Sequence, residues 1–223
     1  MLQLQQVIFY VKIYLVIQMN ELFNNIDEIS KNRLLQELEP YTRNYNKNKI
    51  ILSNDKNDDI ICILISGHIQ IIKNDISGNT TIIEDIREND IFGSISANIS
   101  SYDYEIITKE ESSIIVIELD NIIKDCNNQI FIKNLLQVFY KKIKEFNNRI
   151  EILTNKTIRD KLLSYFNMMS MSNNRIIYLP FSYSELADYL SVNRSAMTRE
   201  IKLLKEEGLI ETKGRKIKIL YYI

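Results

Sequence analysis

The hydrophobic period of the chain changes once, near Gln129, and that change limits what it can fold into more than any other feature. Upstream, from Tyr45 to Glu118, isoleucine-rich runs such as IICILISGHIQIIKN and TTIIEDI are broken by short turns. After the break at Ser66-Gly67 the pattern alternates, with Ile69 and Ile71 on one strand face and His68 and Gln70 on the other. Asp75 to Asn79, DISGN, reads as a turn in which Gly78 is free to take positive φ. Several short strands joined in this way predict a barrel or sandwich rather than a βαβ sheet. Downstream, Ile132, Leu136, Phe139, Ile143, Phe146, Ile150 and Leu153 follow one another at alternating steps of four and three residues. That 3.5-residue repeat, flanked by Lys141, Lys142, Lys144, Glu145 and Arg149, predicts a helix that pairs with a copy of itself about a two-fold axis. A helix that only covers the β body is the alternative.

With 223 residues, two compact domains are expected. Hydrophobic residues at 45% and charged residues at 26% fit a globular protein and exclude wholesale disorder. Two cysteines cannot build a disulfide scaffold or a four-thiolate metal site, and a reducing cytoplasm is the expected setting. Neither a signal peptide nor a membrane span fits the first eighteen residues, whose apolar run is short and interrupted by Lys12. Met19 opens an ordinary amphipathic start, so residues 1–18 are expected to be an upstream extension, with an extra packed helix or strand as the alternative. The net charge of -1 conceals an asymmetry: from Thr154 onward twelve basic residues face seven acidic ones, whereas the rest holds sixteen against twenty-two. A basic end on an acidic body suggests a polyanion-binding module.

The segment FSYSELADYLSVNRSAMTREIKLLKEEGLIETKGRKIKIL gives that module a form. Ser182 followed by Glu185 is a capping box, and Leu186, Ala187 and Leu190 give the helix behind it an apolar face. Ser191 to Asn193 makes a tight turn, Asn193 caps a second helix from Arg194 to about Glu206, and Gly208 closes it. Two helices joined by so short a turn predict a helix-turn-helix, with LIETKGRKIKIL as a hairpin wing. In a major groove, Arg194, Ser195, Thr198, Arg199 and Lys202 would face bases or phosphates, arginine being the usual bidentate partner of guanine. Ser182, Ser184 and Asn193 at helix starts, with Lys213 and Arg215 in the wing, suit phosphate contacts that set register.

This segment resembles the C-terminal winged helix-turn-helix of the Crp/Fnr family of bacterial transcription regulators, above all in SVNRSAMTREI. The order of the remaining parts agrees over roughly residues 19–223, and ISG, DISGN and NDIFG carry the likeness to a cyclic-nucleotide-binding β-roll. The resemblance implies an α+β chain: a jelly-roll-like effector β-roll at 19–127, a dimerisation helix at 128–153, and the DNA-binding domain at 154–223. It also implies that Arg194 meets a guanine or the backbone and that Arg199 reads a guanine. Ser195 stands where the family commonly has a glutamate, so the half-site should be different or less strict.

The family's cyclic AMP cassette begins Phe-Gly-Glu and supplies an arginine some ten residues later, whereas this chain has Phe92, Gly93 and Ser94 and no cation from 92 to 108. Phe92, Gly93, Ser94, Ser96 and Tyr104 are the effector-pocket candidates, and cyclic AMP is not expected to bind there. No cofactor is required by the sequence. Cys62 and Cys126 each read as a small hydrophobe or incidental thiol, with a redox role as the alternative, and His68, the single histidine, as a surface polar residue, with a haem ligand as the alternative. No nucleophile, base and orienter come together, so an enzyme is disfavoured, and no metal site is expected. The resulting expectation is a homodimeric regulator on double-stranded DNA, off the membrane, with RNA polymerase as a partner implied by the resemblance. A β-roll binding module that uses its helix-turn-helix only as an interaction surface is the second reading.

Overall fold

The computed structural model describes residues 13–52, 59–74, 80–94, 104–170 and 175–221, so the DISGN turn lies outside the described residues. The chain divides into two compact units, residues 1–79 with 83–141 and residues 80–82 with 142–223.

In the first unit residues 13–19 form a helix, α1, followed by a single 3-10 turn at Glu21–Phe23 and by α2, Glu28–Leu38. Asp27 caps α2 by accepting from the Ser30 N–H at 3.0 Å. Residues 13–18, part of the stretch expected as an upstream extension or as an extra packed helix or strand, pack on the body: Ile13, Val16 and Ile17 are buried, Ile17 to 1% exposure. Burying one isoleucine side chain is worth about 1.5–3 kcal/mol, so α1 is no ornament. Polar contacts add to it, because Tyr14 donates to Glu28 at 2.6 Å and Lys31 donates to Gln18 at 2.8 Å. Residues 1–12 lie outside the described residues.

Two four-stranded antiparallel sheets follow. One has the order β1-β8-β3-β6, from β1 (Tyr41–Tyr45), β8 (Ser112–Glu118), β3 (Ile60–Ser66) and β6 (Ile91–Ser94). The other has the order β2-β7-β4-β5, from β2 (Ile50–Leu52), β7 (Tyr104–Thr108), β4 (Ile69–Asn74) and β5 (Thr80–Ile86). β3 is buried at Ile60, Ile61, Cys62, Ile63 and Leu64 alike, which the period of two explains. Ile60, Cys62 and Leu64 point into the roll with Ile69, Ile86 and Ile106 of the second sheet. Ile61 and Ile63 point the other way, into a core shared with α1, α2, α3 (Leu119–Asp125) and α4 (Gln129–Thr154). Gly93 lies against β3 so closely that a Cβ there would come within 2.2 Å of the Ile60 carbonyl oxygen.

His68 is corrected by the structure: it is buried, not on the surface. Its Nε2 stands 2.6 Å from the Asp85 carboxylate, which also accepts from Gln70 at 2.9 Å and from Arg87 at 2.7 Å. Burial works to raise the Asp85 carboxyl, but the hydrogen bonds from His68 and Gln70 and the charges of His68 and Arg87 outweigh it and hold it below the usual carboxylate range. Gln70, set on the same strand face by the alternation, is buried with it. Cys62 packs in the roll, where burial pushes its thiol up to about 12, so it acts as a small hydrophobe.

The inner face of α4 is set by Phe131, Leu135 and Val138, all buried, and by Asn134, which donates to the carbonyls of Leu22 at 3.0 Å and Asn24 at 2.8 Å. The 3.5-residue stripe lies elsewhere on the helix. Leu136, Phe139, Ile143, Phe146 and Ile150 are exposed by 38 to 63%, and Ile132 and Leu153 are half-buried. The stripe is therefore not what covers the β body.

Candidate nucleic-acid interface

The second unit is built on α5, Ile158–Ser170, whose Leu162, Tyr165 and Phe166 are buried. Around them lie α6 (Tyr183–Leu190), α7 (Arg194–Glu206) and a three-stranded sheet of order β10-β11-β9, made of β10 (Ile210–Lys213), β11 (Lys216–Ile219) and β9 (Ile176–Tyr178). β9 was not legible as a strand; three residues are too few to display a period.

Both ends of α6 are built as the sequence predicts. The Ser182 hydroxyl accepts from the Glu185 N–H and the Glu185 carboxylate accepts from the Ser182 N–H at 2.9 Å, which completes the capping box. Leu186, Ala187 and Leu190 are buried, and Ser191 takes a left-handed conformation, φ 50°, from which its N–H reaches the Ala187 and Asp188 carbonyls. Asn193 then opens α7 by accepting from the Ala196 N–H at 3.1 Å. At the far end Gly208 has φ 71°, its N–H donates to Lys205 and the Leu209 N–H donates to Leu204, the two bonds of a Schellman close.

α7 is strongly two-sided. Met197, Ile201 and Leu204 are buried at 0 to 4% exposure, while Arg194, Ser195, Thr198, Arg199 and Lys202 are exposed. Thr198 donates to the Arg194 carbonyl at 2.9 Å, and Lys202 pairs with Glu206 at 3.5 Å. The buried side is also tied by a group that sequence reasoning missed: Arg159 of α5 donates to Glu200 of α7 at 2.7 Å and to Glu207 just past its end. Hydrogen bonds to Glu207 and then Glu200 raise the Arg159 guanidinium pKa further, so the arginine side of this clamp stays charged. Nothing in the spacing of Arg159, Glu200 and Glu207 announces it; only the packing of α5 against α7 does.

Ser182, Ser184, Asn193, Lys213 and Arg215 are likewise exposed. The wing turns at Gly214-Arg215 between paired Lys213 and Lys216, and the Tyr183 hydroxyl donates to the Gly214 carbonyl at 3.2 Å, so the start of α6 is fastened to the wing turn. All ten residues selected as DNA-contacting thus lie on the exposed surface of one unit. Two of them, Ser182 and Asn193, already spend a side-chain oxygen on capping.

The comparisons with known proteins agree with this geometry. Residues 42–128 match the family described as Cyclic nucleotide-binding domain, and residues 160–222 match the Crp-like helix-turn-helix domain, in that order on one chain. The chain belongs to the Crp/Fnr family. It is 28% identical over 81 residues to the Probable transcriptional regulator flp of Lacticaseibacillus casei, a match that spans 36% of this chain and only 37% of that regulator. Among solved structures, a CooA variant from Carboxydothermus hydrogenoformans is similar with a TM-score of 0.68 at 17% identity, over 84% of this chain and 85% of that one. FixK2 from Bradyrhizobium japonicum is similar with a TM-score of 0.64 at 17% identity, over 82% and 93% respectively. Identities that low carry the fold alone.

In this Crp/Fnr chain the effector-side candidates do not come together as one described pocket. Phe92 is buried in the roll and Gly93 lies against Ile60, whereas Tyr104 is exposed on β7, in the other sheet. Ser94 closes β6, and Ser96 lies outside the described residues. Lys73 of β4 pairs directly with Tyr104, its ammonium 5.5 Å from the ring centroid, so a cation does border this region although none lies between residues 92 and 108. Among the described residues, no group of three or more potential metal ligands forms, and no helix is long and apolar enough to cross a membrane.

Proposed function

We propose that this Crp/Fnr chain is a cytoplasmic, homodimeric transcription regulator that reads a pseudo-palindromic operator with α7 and sets its register with the wing. The observation that supports it best is the two-sidedness of α7: five polar or basic side chains exposed on one side, three apolar ones and the Arg159 clamp on the other. Arg199 is the proposed base reader. Arg194 and Lys202 are proposed for base edge or backbone, Ser195 and Thr198 for adaptable hydrogen bonds, and Ser182, Ser184, Asn193, Lys213 and Arg215 for phosphates. The exposed stripe of α4 is the proposed two-fold seam, and on a pseudo-palindromic operator the two recognition helices would have to lie about 34–36 Å apart, on successive turns of one DNA face. The β-roll is proposed to bias that spacing in response to a signal other than cyclic AMP, and RNA polymerase is the proposed partner at the promoter.

The test is an operator recovered by selection from randomised DNA. Arg199→Ala should cost about 1–3 kcal/mol on the selected sequence and relax preference at one base pair per half-site. Wild-type affinity should fall steeply with salt, as counterion release requires. Unchanged preference in the variant would remove Arg199 from the reading surface, and salt-independent binding would favour a protein-binding module.

A further inference from the structure

The outer face of the wing sheet carries groups that the recognition helix and the wing turn leave unused. Ile217 and Ile219 of β11 are buried, so alternation puts Lys216 and Lys218 on the opposite side. The register sets Lys216 directly opposite both Lys213 of β10 and Tyr178 of β9, and sets Lys218 opposite Glu211. Tyr178 is 66% exposed, and the Lys216 ammonium lies 5.7 Å from its ring centroid. Lys218 reaches Glu211 at 3.2 Å, an exposed pair of the kind that solvent makes weak. Three ammonium groups and a phenol therefore stand on one small sheet face against a single carboxylate.

Folding does not ask for this arrangement. Like charges directly opposite each other across two strands destabilise a sheet, and Lys213 facing Lys216 is such a pair. A large exposed aromatic beside them adds nothing to the core. Local rules broken in one place point to a use for that place.

We infer that this face is a second DNA-contacting surface, which takes the sugar-phosphate backbone of the duplex outside the half-site read by α7. The inference rests on the DNA-binding reading above and extends it. Lysines neutralise phosphates and release counterions, a phenol hydroxyl donates to phosphate or sugar oxygen, and an anion on the face relieves the Lys213–Lys216 repulsion. The face is also continuous with Lys213 and Arg215 at the wing turn, so a backbone track entering at the turn runs on across Lys216 to Tyr178 and Lys218.

The experiment uses the full chain and a duplex recovered by selection from randomised DNA, prepared at two lengths: trimmed to the selected core, and extended at each end by about one helical turn, 10 bp. Replacing Lys216 and Lys218 together by Gln should weaken binding to the extended duplex about five- to twentyfold. It should also make the slope of log affinity against log salt less negative by about 1.8, the value for two lost phosphate contacts. Affinity for the trimmed duplex should not change. Tyr178→Ala should lose severalfold on the extended duplex only, with no change in salt slope, and Tyr178→Phe should show how much the hydroxyl supplies. Equal affinity and slope for variants and wild type at both lengths would overturn the inference while leaving DNA binding intact, and would make an acidic protein surface the partner of this face. Failure of the wild type to bind either duplex would overturn the DNA-binding reading and the inference with it.

Discussion

His68, Gln70 and Arg87 converge on the carboxylate of Asp85, and the first two are buried. Because its native carboxyl is held below the ordinary range, Asp85 contributes stability that is present above its unfolded pKa and is lost as pH falls through the lower folded value. Acid titration followed by circular dichroism should therefore show a wild-type loss of stability below about pH 4 that flattens in Asp85→Asn. At neutral pH Asp85→Ala should cost about 1–3 kcal/mol, since it leaves His68 and Gln70 without their acceptor. The sequence placed His68 and Gln70 on one strand face correctly but not the depth of that face, because an acidic partner seventeen residues away leaves no mark on the alternation. At α7 the residue scale was easier to read. Capping boxes, N-caps and glycine closes are local chemistry, and local chemistry is what spacing records.

α4 shows how one element serves two ends. Phe131, Leu135 and Val138 commit its inner face to the core, and the heptad stripe through Phe139 and Phe146 is left exposed at 38% and 41%. Both side chains are partly exposed in the single chain, so exchanging the pair for glutamate should leave the protomer folded, with a melting temperature lowered by the stability that dimerisation supplies. Sedimentation should nevertheless show a monomer, because like charges in an apolar seam cost several kcal/mol, and operator affinity should collapse. An intact dimer in that variant would refute the seam. The stripe was visible in sequence as a clean 3.5 repeat, while β3 was not visible as alternation, since a strand covered on both faces reads as an unbroken apolar run. The sequence of α1 fits an upstream extension and an extra packed element alike, because an apolar stretch does not name the surface that receives it; α2 and the core do.

Across the whole molecule the charge asymmetry and the roll bear on different ligands. The basic C-terminal part is the half proposed to face the polyanion, and residues 92–108 lack the acid and the arginine that the family resemblance assigns to cyclic-nucleotide binding. A saturating nucleotide at 100 times its Kd would raise stability by about 2.7 kcal/mol, a plain shift in melting temperature. Neither cyclic AMP nor cyclic GMP should produce one. A shift that disappeared with Lys73→Ala would show that the cation beside Tyr104 replaces the missing arginine. The helix α4 adds a constraint of another kind. Its 26 residues contain neither glycine nor proline, so nothing in it is placed to kink, and at 1.5 Å per residue it is a rod of about 39 Å. A rod of that length magnifies angle into distance, and a tilt of about 5° at one end carries the other through roughly 3 Å, close to the rise of one base pair. In the proposed homodimer the tolerance to which an operator is read would therefore be set by a few degrees of helix orientation, and a single glycine at mid-rod should blur operator spacing while the exposed surface of α7 is left unchanged.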